Sequence, residues 1–104
     1  MSDIPVIQES DFQKTIQNGT VLVDFYADWC GPCRMLTPVL EQLSKEMKSQ
    51  IIVVKINVDT AQNVAAQYDI TSIPTIILFK DGAQKVKSVG LKDLKGLKAM
   101  IESV

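Results

Sequence analysis

The sequence holds two cysteines, Cys30 and Cys33, separated by Gly31 and Pro32. Residues three apart on a helix face the same way, with Cβ atoms roughly 5–6 Å apart, somewhat beyond what a disulfide spans. A distorted first helical turn would close that gap. Gly31 supplies backbone freedom, and Pro32 presets a helical φ where a missing N–H costs least, which places Cys30 at a helix N-terminus. Unpaired amide donors and the positive end of the helix dipole favour a thiolate there, so the Cys30 thiol is expected to be acidic and reactive near neutral pH. Cys33, one turn further in, is expected to be better shielded. That asymmetry predicts thiol–disulfide exchange: Cys30 attacks a substrate disulfide, and Cys33 attacks the mixed disulfide to release a reduced product.

Two plainer readings compete with this one. A purely structural disulfide would close a loop of four residues and contribute only about 2 kcal/mol in the chain-entropy model. A reducing compartment would also open it. A metal site is disfavoured because the sequence has no histidine and a single C-x-x-C, which would reach four ligands only by dimerising. No metal is expected.

The elements that must position the pair follow from hydrophobic periodicity. Val21-Leu22-Val23-Asp24-Phe25-Tyr26 is apolar on both alternating faces, as suits a central strand covered by helices on each side. After the cysteines, Leu36, Val39, Leu40, Leu43 and Met47 recur at helical spacing, predicting a helix of about four turns that Pro38 should kink. Ser10 and Gln13 have the spacing of a capping box, which predicts a first helix over about 10–18, ended by Asn18-Gly19. Ile51 to Val58 is a second apolar strand, and Val64, Ala65 and Tyr68 mark a short helix after Asp59 and Thr60. Strands at 75–80 and 84–89 flank a short loop, Asp81-Gly82-Ala83, and must be antiparallel. Leu94, Leu97 and Ile101 line a last helix that contains Gly96. The order is α/β, with parallel strands joined by helices and an antiparallel tail.

With 104 residues and 46% hydrophobic content, the chain suits a single domain over 1–104 with one core. Eleven basic against twelve acidic residues leave a net charge of -1, without the basic field that nucleic acid or anionic lipid would require. No apolar run approaches the roughly 18 residues of a membrane span, and the start lacks the pattern of a secretory leader. The expectation is a soluble cytoplasmic monomer with no nucleic-acid or membrane partner.

Four stretches carry a resemblance. Val-Asp-Phe-Tyr-Ala-Asp-Trp-Cys-Gly-Pro-Cys-Arg at 23–34, Lys-Ile-Asn-Val-Asp at 55–59, Ile-Pro-Thr at 73–75 and Val-Gly at 89–90 are similar, in order and over nearly the whole chain, to the motifs of the thioredoxin family. The resemblance implies a thioredoxin fold, with a five-stranded mixed β-sheet flanked by four α-helices. It implies a protein-disulfide reductase and electron carrier of cell redox homeostasis, with a redox-active Cys30-Cys33 disulfide and no bound cofactor. Its partners would be protein disulfides and a thioredoxin reductase, to which the NADPH and FAD belong. Tyr26, Asp28 and Thr71-Ser72 stand where relatives often have tryptophan, glutamate and a glycine; these departures bear on partner preference and redox poise.

Several residues read differently with and without the resemblance. A carboxylate at Asp24, inside an apolar strand, must be paired, protonated or at an edge, and by itself is as readily structural as functional. The resemblance implies a buried general acid/base beneath Cys33 acting through water, with a pKa raised by desolvation and partly offset by Lys55. Ile73-Pro74 by itself reads as an ordinary trans bond before an edge strand. The resemblance implies a cis bond facing the cysteines, leaving the Ile73 backbone to pair with an extended substrate. Trp29 by itself is a core aromatic; the resemblance implies an apolar docking surface formed by Trp29, Gly31, Pro32, Val58, Ile73, Pro74, Val89 and Gly90. Arg34 is equally a motif residue and a solvated helix charge. A disulfide oxidase or isomerase of the same fold, and a non-catalytic binding subunit using the docking face, are the competing functions; Gly31-Pro32 favours a reductant.

Overall fold

A computed structural model describes residues 3–104. Strand β1 (Thr20–Tyr26) is buried from Val21 to Phe25, as a strand apolar on both faces requires. It pairs in parallel with β2 (Ile52–Asn57) and antiparallel with β3 (Thr75–Lys80), which pairs antiparallel with β4 (Ala83–Val89). The sheet order is therefore β2-β1-β3-β4, four strands rather than the five that the resemblance implies. The fifth is reduced to a single parallel bridge between Val6 and Lys55 at the β2 edge. Lys55 N–H donates to the Pro5 carbonyl and Ile7 N–H donates to the Lys55 carbonyl, at 2.8 and 2.9 Å. Pro5 has no N–H with which to extend the ladder.

The alternation of β1 divides the core between the two faces of the sheet. Leu22, Val53, Ile76 and Leu78 pack beneath α2 (Gly31–Glu46) and α4 (Leu94–Glu102), against Leu36, Leu40, Leu43, Leu97 and Met100. Val21, Val23, Phe25, Ile56, Ile77 and Phe79 pack on the other face against Phe12 and Ile16 of α1 (Phe12–Ile16) and Val64 of α3 (Gln62–Gln67). Phe12 stacks at 5.4–6.2 Å from the rings of Phe25, Tyr68 and Phe79, within the range of favourable aromatic pairs.

Local chemistry sets where elements begin and end. The first helix is shorter than 10–18, because Ser10 falls in a 3-10 turn (Glu9–Asp11) and makes no capping bond. Gly19, with φ of +75°, releases the chain toward β1. Helix α3 has no local side-chain cap; the distant Glu9 carboxylate accepts from Val64 N–H at 2.8 Å instead. The β3–β4 turn is two residues, not three: Asp81 and Gly82 both have positive φ, as the hairpin turn that matches strand twist demands, and Ala83 already pairs with Lys80. Helix α2 continues through Pro38. Asp93 caps α4, its carboxylate accepting from Gly96 N–H at 2.8 Å, and a Cβ at Gly96 would come within 3.0 Å of that oxygen.

Candidate active site

Strand β1 delivers the chain to the cysteines at the end of the sheet. Cys30 is the N-cap of α2, with the extended dihedrals φ -88° and ψ 111°. Gly31 and Pro32 follow as the first two helical residues, so the proline's missing N–H falls among groups that have no intrahelical acceptor. Because Cys30 is not helical, its side chain folds back over the first turn, and Cys33 N–H donates to Cys30 Sγ at 3.2 Å. The two sulfurs are joined, with Cα atoms 5.3 Å apart. Cys30 is 4% exposed and Cys33 1%, so shielding separates them only slightly; the amide aimed at one sulfur separates them more.

The cysteines lie in a small cluster with Ala27, against which Tyr26, Val58 and Ile73 pack. The Ile73 carbonyl oxygen is 3.8 Å from Cys30 Sγ, and the Ile73-Pro74 bond is cis. Trp29 is 69% exposed and Val89 60%; Pro32 is exposed, while Gly31, Val58, Ile73 and Gly90 are half-buried. Pro74 is buried and does not contribute its ring to the surface. Its carbonyl accepts from Gly90 N–H at 2.8 Å, which ties the end of β4 to the segment facing the sulfurs. Gly90 has a φ of +94°, a conformation that side chains disfavour.

Asp24 and Lys55 are direct partners in the β1–β2 ladder. Asp24 lies on the face covered by α2 and is fully buried, and neither carboxylate oxygen has a hydrogen-bond partner among the described residues. Burial pushes its carboxyl up to about 7, and the Lys55 charge opposes part of that rise. No ion pair joins the two, so the Lys55 charge acts on Asp24 across the ladder without direct contact. The Lys55 ammonium instead donates to Thr37 Oγ1 at 3.0 Å and lies 4.4 Å from the centre of the Tyr26 ring.

Two neighbours escaped the sequence reading. Asp59 accepts from Trp29 Nε1–H at 3.0 Å, holding the exposed indole beside Val58. Thr37 was visible only as a residue one turn after Cys33 and just before Pro38. Arg34 is exposed and donates to the Asp28 carbonyl at 2.7 Å, so it braces the loop before Trp29. Among the described residues, no cluster of three or more His, Cys, Asp or Glu could hold a metal ion, and no helix is long and apolar enough to cross a membrane.

A family-wide sequence profile described as Thioredoxin matches residues 3–103. The chain belongs to the thioredoxin family. Thioredoxin of Chlamydia trachomatis serovar D is 47% identical over 94% of this chain and 95% of its own. Thioredoxin of Rickettsia felis is 46% identical over 88% and 89%, and that of Staphylococcus epidermidis 42% over 92% of each. A solved chain from work on the thiol resolving mechanism in yeast mitochondrial 1-Cys peroxiredoxin via glutathione/thioredoxin systems is 31% identical. It superposes with a TM-score of 0.88 over 98% of this chain and 96% of that one. The fold is the α/β thioredoxin fold, and the chain is a thioredoxin-family disulfide reductase with Cys30–Cys33 as its redox-active pair.

Proposed function

We propose that the 104-residue chain acts as one domain and a cytoplasmic monomer. In this reading it carries two electrons from an NADPH-dependent flavoprotein thioredoxin reductase to protein disulfides. Reduction begins when the Cys30 thiolate attacks one sulfur of a substrate disulfide; a mixed disulfide forms and the first substrate thiolate leaves, taking a proton. The Cys33 thiol then gives its proton to the Asp24 carboxylate through water and attacks Cys30 Sγ. The Cys30–Cys33 bond forms, the second substrate thiolate leaves, and Asp24 returns the proton. Substrate has gained two electrons and two protons: the chain supplies both electrons and the Cys33 proton, and solvent, which took up the Cys30 proton on ionisation, supplies the other.

The observation that carries the assignment of nucleophile is the Cys33 N–H aimed at Cys30 Sγ at 3.2 Å, from the N-cap of a sixteen-residue helix. That amide and the dipole behind it stabilise negative charge on one sulfur and not on the other. Asp24 suits the relay because its carboxyl, held near 7, can both accept and return a proton at neutral pH. Trp29, Gly31, Pro32, Val58, Ile73, Val89 and Gly90 form the docking surface, with Pro74 contributing through its backbone. The Ile73 backbone, its carbonyl 3.8 Å from Cys30 Sγ, is positioned to pair with an extended substrate strand.

Insulin-disulfide reduction with NADPH and a thioredoxin reductase tests the reading. Cys30→Ser is expected to abolish turnover. Cys33→Ser is expected to accumulate a mixed disulfide through Cys30, and Asp24→Asn to slow release of the reduced product at neutral pH. If the variant lacking both thiols supported the chain's cellular role, a binding subunit would be the better description. An unchanged release rate in Asp24→Asn would remove Asp24 from the mechanism.

A further inference from the structure

The side chain of Thr37 takes no part in the exchange chemistry described above, yet it connects two of the groups around it. It lies on α2 four residues after Cys33, half-buried. A hydroxyl has one proton to give and two lone pairs to receive. Thr37 gives its proton to the Cys33 carbonyl at 3.3 Å and receives from the Lys55 ammonium at 3.0 Å. The Tyr26 ring supplies a second, cation–π hold on that ammonium at 4.4 Å. Neither hold is a carboxylate. Asp24, directly beside Lys55 in the ladder, keeps both oxygens without a hydrogen-bond partner among the described residues.

A buried carboxylate next to a lysine ordinarily gains by pairing with it, because each charge offsets the desolvation of the other. Here the geometry holds them apart. We propose that Thr37 is a positioning residue that draws the Lys55 ammonium away from Asp24, keeping the carboxyl unpaired and so able to take and return a proton. The inference rests on the proton-relay reading of Asp24 for its catalytic meaning.

The surroundings leave Lys55 as the group that can set the protonation of Asp24. From β3 the residue opposite is Ile76, uncharged. From α2, Cys30 and Cys33 are joined and Thr37 is neutral. On β1, the Tyr26 phenol is pushed up first by burial and then by Asp28 and Asp24, so it stays neutral over the range concerned. Removing the Thr37 hydroxyl takes away one of the two holds on the ammonium, and Asp24, the ladder partner of Lys55, has both oxygens open to receive it.

The test is a carbon-detected NMR titration of the Asp24 carboxyl in the disulfide form, which requires no turnover and so succeeds or fails independently of the relay reading. Thr37→Val, with Thr37→Ala as a second variant suited to a helix interior, is expected to lower the Asp24 midpoint by about one pH unit or more, as an opposite charge moving into contact does. Thr37→Ser should restore it. Adding Thr37→Val to Lys55→Met should produce no such drop, because the migrating charge is absent. A midpoint that stays or rises in both Val and Ala variants would overturn the proposal. An equal drop in the Lys55→Met background, or failure of serine to rescue, would do the same.

Discussion

Lys55 stands beside Asp24 across the β1–β2 ladder, yet its ammonium is bonded to Thr37 Oγ1 and the Asp24 carboxylate has no hydrogen-bond partner among the described residues. A carboxyl whose ionisation is opposed by burial destabilises the fold when it is forced to ionise. Its folded value is raised from 3.8 to about 7, so between those limits the folded state binds more protons than the unfolded one. The contribution of Asp24 to stability is fully present below about 3.8 and is lost as pH rises through about 7. Denaturant unfolding of the oxidised protein is expected to show a loss of roughly 2–3 kcal/mol from this group between about pH 5 and pH 8. Asp24→Asn should remove that slope.

Phe12 joins the first helix to the sheet through Phe25 and Phe79 and to the end of α3 through Tyr68, and is fully buried. Phe12→Ala is expected to destabilise the protein by about 3–5 kcal/mol, since the cavity is enclosed by rings that cannot collapse into it. It lies on the face of the sheet opposite α2, so insulin reduction at temperatures where the variant stays folded should be little changed.

Gly90 combines a φ of +94° with an N–H bonded to Pro74. A Cβ there would meet no atom within 4 Å, so the cost of Gly90→Ala is conformational rather than steric crowding. A loss of about 1–2 kcal/mol in chemical denaturation is expected. The variant should also raise the KM for protein substrates more than it lowers kcat, because the strain falls on the surface proposed to dock them and not on the sulfurs.

Strands β1 and β3 were legible because burial on both faces leaves a nearly continuous apolar run, broken only by Asp24 in Val21 to Phe25 and unbroken in Ile76 to Phe79. The cysteine pair was legible because Gly31 and Pro32 encode the backbone of a helix start. What failed to show was the geometry set by distant partners. The Ser10–Gln13 spacing imitates a capping box, but the local chain takes a 3-10 turn, and Glu9 spends its carboxylate on α3 instead. The fifth strand shrank to a bridge at Val6, a feature of pairing at one edge that residue types do not reveal. Lys55 was matched to Asp24 by its place in an apolar strand, but only side-chain positions show that Thr37 and Tyr26 hold it. Pro74 was grouped with the docking residues by motif, whereas its ring is covered and its carbonyl does the bonding.

Ionisation of the first thiol is the premise of the exchange chemistry, and it is directly measurable. The reduced protein, with Cys33→Ser to leave one thiol, can be titrated by thiolate absorbance in the ultraviolet. An N-cap sulfur receiving the Cys33 amide at 3.2 Å should ionise at a pH clearly below the roughly 8.5 of a free cysteine. A midpoint at or above that value would contradict the role given to Cys30.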